Sequence, residues 1–130
     1  MPRSNSARGR LILHGVKLEP HEKATVDYFL NLGKDIEIVV PSNTPKRKSA
    51  DLFMDGVEWE MKSPETPAKK AIENLFYNAS SKAQNVIMDL RRLPDDGLAR
   101  ETLDKRFSGS RKMRKMLIIT KNGSLIKYQK

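Results

Sequence analysis

Asp51-Leu52-Phe53-Met54-Asp55-Gly56-Val57-Glu58-Trp59-Glu60-Met61-Lys62 is the stretch on which the reading of this chain turns. Its central Asp55-Gly56 pair tolerates positive φ at both positions of a two-residue loop, so two antiparallel strands are predicted around it. Such a loop fixes the register: Met54 faces Val57, Phe53 faces Glu58, Leu52 faces Trp59 and Asp51 faces Glu60. Alternation then places Leu52, Met54, Val57, Trp59 and Met61 on one apolar face, the predicted core side. Asp51, Phe53, Glu58, Glu60 and Lys62 share the other face.

Directly opposed Cβ atoms lie ~4.5 to 5.5 Å apart, and like charges placed there are destabilising. Asp51 against Glu60 therefore calls for compensation. A hard divalent cation supplies it, since carboxylate oxygens suit Mg²⁺ or Mn²⁺ and the ion neutralises both acids. Lys62, two residues further on the same face, is placed to orient a water nucleophile and to steady charge developing on a phosphorane.

Outward from the hairpin, the flanks read as alternating elements. Pro20 suits the first turn of a helix over His21 to Leu32, with Thr25, Val26 and Phe29 on one stripe and Gly33 closing it. Glu22 precedes that stripe by three, four and seven residues. It is read either as an inward acid in need of a partner or as a first-turn acid favoured by the helix dipole. Leu11 to Leu13 gives a short strand, and Ile36 to Val40 a strand buried on both faces. Ala68, Ala71, Ile72, Leu75, Phe76, Ala79 and Ala83 trace the clearest helical stripe. Asn85 to Leu90 forms a further buried strand, and Leu98 to Phe107 a helix. Met116 to Thr120 and Leu125 to Tyr128 make a closing hairpin around Asn122-Gly123. This alternation predicts an α/β fold, in the α+β sense of a mixed sheet with helices on its faces.

The 130 residues suffice for one domain, read as residues 11–130, preceded by a flexible basic arm over residues 1–10 that carries Arg3, Arg8 and Arg10. The net charge of +9, from 25 Lys and Arg against 16 Asp and Glu, favours a polyanionic partner, nucleic acid foremost. With no cysteine, disulfides and thiolate metal sites are excluded. No run reaches the ~18 apolar residues of a membrane span or forms a signal-peptide core, so a soluble protein with no membrane partner is expected. Lys46, Arg47 and Lys48 before the hairpin, and Arg111, Lys112, Arg114 and Lys115 after the third helix, read as phosphate contacts or as a solvated face. His14 and His21 lack ligand-like spacing and read as surface histidines.

Taken together, Glu22 in the first helix, Asp51 opening a strand and Glu60-Met61-Lys62 in the next resemble the PD-(D/E)XK nuclease superfamily. The resemblance implies a restriction-endonuclease-like α-β-β-β-α-β core, here with a C-terminal β-hairpin, and catalytic roles for Glu22, Asp51, Glu60 and Lys62. More narrowly, Ala50-Asp51-Leu52, Trp59-Glu60-Met61-Lys62-Ser63-Pro64 and Ala83-Gln84-Asn85-Val86-Ile87-Met88-Asp89-Leu90 are similar to the C-terminal tRNA-nuclease domains of contact-dependent growth inhibition toxins. That likeness implies cleavage of RNA phosphodiesters, tRNA favoured, in the cytoplasm of a target cell. It also implies Mg²⁺ or Mn²⁺ held by Asp51, Glu60 and Glu22, and a cognate immunity protein as partner. Gln84 is the position at which the family often places a polar group near its site; it also reads as a turn residue. A DNA endonuclease of the same superfamily and a non-catalytic nucleic-acid-binding protein are the alternatives.

Overall fold

The computed structural model describes residues 7–41 and 50–130. Among these residues seven strands and three helices follow one another as β1 (Leu11–Ile12), α1 (Pro20–Asn31), β2 (Ile36–Ile38), β3 (Leu52–Met54), β4 (Val57–Lys62), α2 (Lys69–Ser80), β5 (Asn85–Asp89), α3 (Gly97–Gly109), β6 (Lys115–Ile119) and β7 (Leu125–Gln129). The mixed sheet with helices on its faces is as the sequence predicts. All seven strands join one sheet in the order β1-β2-β3-β4-β5-β6-β7, so each strand lies beside its neighbours in sequence.

The hairpin register is the predicted one: Leu52 pairs with Trp59, Phe53 with Glu58 and Met54 with Val57. Asp55 and Gly56 both take positive φ, +55° and +79°, which matches the right-handed twist of the strands they join. β4 then changes partner. Through Val57, Glu58 and Trp59 it pairs antiparallel with β3, and through Glu60, Met61 and Lys62 it pairs parallel with β5. β5 and β6 are parallel, and β6 and β7 form the closing hairpin.

Each face of the sheet has its own core. On one, Val26, Phe29 and Leu30 of α1 pack with Ile36, Ile38, Leu52, Met54, Trp59, Ile87, Leu117 and Ile119. On the other, Ile72, Phe76 and Ala79 of α2 and Ala99, Leu103 and Phe107 of α3 pack with Val86, Met88, Met116 and Ile118. One face carries a single helix, the other two.

Two expectations need correction. The strand expected over Ile36 to Val40 is half-buried: Ile36 and Ile38 face α1, while Glu37 is exposed and Val40 lies beyond the strand at 56% exposure. Neither α2 nor α3 belongs to the core that β2 joins, so among the described residues no helix covers its second face. The basic arm is described only from Ala7. There, Gly9 N–H donates to Leu30 O at 2.8 Å, Arg10 N–H to Asp35 Oδ1 at 2.8 Å, and Arg8 pairs with Asp27. The close approach explains the glycine, since a Cβ at residue 9 would lie 1.7 Å from Lys34 O.

Candidate active site

Where β4 leaves β3, two acids meet. Asp51 N–H donates to Trp59 O at 2.9 Å, so the ladder extends one step beyond the paired strands and brings Asp51 opposite Glu60. Asp51 Oδ2 accepts the Met61 N–H at 2.8 Å, filling the role of a ladder carbonyl at the point of divergence. Glu60 is 2% exposed. The sequence places it on the polar side of the hairpin, which it is; what buries it is the α2 layer lying over that side.

Two cations reach the same carboxylate oxygen. Lys62 Nζ and Lys82 Nζ each stand 3.5 Å from Glu60 Oε2. Lys62 follows from strand alternation. Lys82 does not, because it lies 22 residues along the chain in the turn after α2, and only the antiparallel return of that helix over β4 brings it back. Glu60 Oε1 is buried with no hydrogen-bond partner among the described residues. Burial first, and the Asp51 carboxylate second, push the Glu60 carboxyl up to about 7, against the pull of Lys82 and Lys62.

Glu22 does not join this group. Its Oε1 accepts the Glu19 N–H at 2.9 Å, closing a capping box at the start of α1. Its helix packs on the face of β4 that carries Trp59 and Met61, opposite the one that carries Glu60 and Lys62. Consistently, no cluster of three or more acidic, histidine or cysteine side chains suited to a metal occurs among the described residues. Two carboxylates with a free buried oxygen still form a donor set for a hard cation, since Mg²⁺ commonly takes one or two carboxylates and keeps several waters. Asp51 and Glu60 would hold it.

Of the expected phosphate contacts, Lys46, Arg47 and Lys48 lie outside the described residues. Arg111, Lys112 and Arg114 are exposed on the connector between α3 and β6. Gln84 stands two residues beyond Lys82, and its carbonyl accepts the N–H groups of Arg114 at 2.7 Å and Lys115 at 3.4 Å, so Gln84 and Arg114 adjoin. Lys115 has the strand parity of Leu117 and Ile119 and therefore points to the α1 face, away from Glu60. His14 Nε2 lies 2.7 Å from Glu37 Oε2, and His21 lines a groove with Ser63, Arg91 and Arg92.

The family model for the contact-dependent growth inhibition CdiA C-terminal domain matches residues 48–125, which contain Asp51, Glu60, Lys62 and Lys82. The chain belongs to that family. Among solved structures, it is similar to the "CdiA-CT/CdiI toxin and immunity complex from Burkholderia pseudomallei", with a TM-score of 0.71 and 18% identity over 94% of this chain and 100% of that one. At that identity the likeness establishes a shared fold. No curated protein sequence matches the chain. No helix among the described residues is long and apolar enough to cross a membrane.

Proposed function

We propose that this CdiA C-terminal domain is a toxin of the PD-(D/E)XK nuclease superfamily, a metal-dependent endonuclease that hydrolyses RNA phosphodiesters, with tRNA the favoured substrate. The observation that carries the reading is the Glu60 carboxylate, buried against Asp51 with one oxygen unpartnered and two lysines on the other. Burying a second like-charged carboxylate is costly to a fold, and groups perturbed in this way concentrate at sites of chemistry. Family membership and the fold shared with a toxin domain support the same reading.

Asp51 and Glu60 would hold Mg²⁺ or Mn²⁺, which polarises a scissile phosphate and lowers the cost of forming hydroxide from bound water. Asp51 is fixed for that task by the Met61 amide, so its carboxylate enters with little reorganisation. Lys62 donates toward the non-bridging oxygens where negative charge grows, and its 17% exposure keeps that charge poorly screened by water. Lys82 is more open, at 43%, and serves as the cation nearest an incoming phosphate. Gln84 and Arg114 continue from Lys82 along the same end of the sheet, and the exposed Arg111 and Lys112 supply further sequence-independent affinity. Glu22 is assigned to the helix cap. A cognate immunity protein is the expected partner, and the cytoplasm of the target cell is the expected place of action.

The test is cleavage of total tRNA and of plasmid DNA, side by side, with Mg²⁺ or with EDTA. Cleavage of tRNA that requires Mg²⁺ and disappears in Asp51→Ala supports the proposal. Cleavage confined to DNA overturns the substrate, and tRNA binding without cleavage at any metal overturns the enzyme.

A further inference from the structure

The two sheet faces are covered unequally, and the uncovered part of the α1 face is cationic. Along β6 and β7, the residues on that face run from Ile119 and Leu125 at one end to Lys115 and Gln129 at the other, with Leu117 opposite Lys127 between them. The Ile119 end belongs to the α1 core, whereas α1 stops at Asn31 and leaves the Lys115 end with no helix over it among the described residues. An open cleft of about 370 Å³ results. Its walls are apolar, with Leu32, Leu117, Leu125 and the edge of Trp59, and Lys115 and Lys127 stand at its rim. Neither lysine has an acidic partner among the described residues; Lys34 and the acid Asp55, which also line the cleft, are paired with each other at 2.9 Å.

We propose that this cleft is a second nucleic-acid subsite, which takes one unstacked nucleotide of a single-stranded segment, the base against the apolar wall and its flanking phosphates on Lys115 and Lys127. The volume falls within the roughly 300–1,000 Å³ of small-molecule sites, ample for a base and its ribose. Splayed bases of single-stranded RNA are bound by aromatic side chains beside cationic ones, and the lining supplies both, Trp59 as the aromatic and Lys115 and Lys127 as the cations. The charge fits as well, for residues 91–130 carry 12 of the 25 Lys and Arg but only four of the 16 Asp and Glu. Gln129 adds amide donors and acceptors for a base edge. The subsite faces away from Glu60, so it holds the substrate without touching the reacting phosphate. The proposal rests on nucleic acid being the substrate.

Trp59 is the single tryptophan of the chain and lines the cleft, so its fluorescence reports occupancy directly. The intact protein is titrated in EDTA with a single-stranded RNA hexamer, with inorganic tripolyphosphate and with hexaglutamate. The hexamer is expected to change Trp59 emission in the wild type. The combined Lys115→Ala and Lys127→Ala variant is expected to bind it about tenfold more weakly, with the salt slope reduced by about two. Unchanged hexamer affinity in that variant overturns the subsite. An equal Trp59 response to tripolyphosphate overturns the base contact, and an equal response to hexaglutamate assigns the cleft to an acidic protein instead. Because cleavage is blocked throughout, a hexamer response persists even if the protein proves to be no nuclease.

Discussion

Asp89 and Glu60 are both buried carboxylates near the middle of one sheet, at 3% and 2% exposure, on opposite faces of it. Around Asp89 every acceptor is used: Thr25 Oγ1 donates to Oδ2 at 2.7 Å, and Arg91 donates through Nε to Oδ1 at 2.9 Å and through a terminal nitrogen to Oδ2 at 2.7 Å. Burial works against its ionisation, but the Arg91 and Thr25 hydrogen bonds overcome it and hold the carboxyl below the ordinary range. Arg91 also reaches Ala24 O and lies over the Tyr28 ring, so this acid ties α1 to β5. Glu60 has a neighbouring acid, two lysines at 3.5 Å and an oxygen with no partner. A satisfied buried charge organises a fold, whereas an unsatisfied one is retained at a cost that chemistry can explain.

That contrast can be broken at several points. Trp59→Ala, on the α1 face of the same strand, should destabilise the protein by about 3 to 5 kcal/mol in urea unfolding, while Lys62→Ala on the other face costs less, because Lys82 still faces the Glu60 carboxylate. The reverse ranking would mean that the two faces are misassigned. In the cleavage assay, Lys62→Ala should lower the rate by roughly a hundredfold to a thousandfold.

Stability should depend on pH through Glu60. Its pKa rises on folding from 4.5 to about 7, so the folded state holds the proton more tightly than the unfolded one. The contribution is fully present below about pH 4.5 and falls by about 3 kcal/mol as pH rises to 7. Urea titrations from pH 5 to pH 8 without metal should show this slope in the wild type and not in Glu60→Gln. At pH 8, Mg²⁺ should restore part of the loss in the wild type alone. The smallest effect is expected at Glu22, where Glu22→Ala should cost about 1 kcal/mol as a lost cap and leave cleavage intact. A large loss of cleavage there would place that acid back in the site.

The hairpin register, the helix bounded by Pro20 and Gly33 and the closing strands were legible because local chemistry fixes them. Asp55-Gly56 permits only a tight turn, and Gly33 at φ +86° ends α1 where an L side chain would be strained. The opposition of Asp51 and Glu60 follows from that turn alone. The burial of Glu60 was not legible, since strand alternation distinguishes two faces but does not tell whether a later helix covers the polar one. Lys82 escaped for the same reason: its place depends on the direction in which α2 returns. Glu22 misled because its position on the stripe also suits a capping box, and the cap closes with Glu19, three residues away. Lys115 follows Arg114 directly in the sequence, yet it opens β6, and strand alternation turns it to the α1 face with Leu117 and Ile119.

The sequential strand order bears on how such a domain takes shape. Read from the N-terminal side, β1 through β7 follow in the order in which they lie in the sheet, so each later strand pairs with the one before it. Among the described connections the longest excursions are single helices with their flanking loops, so closure entropy stays small at each of them. With no cysteine, folding requires no oxidant.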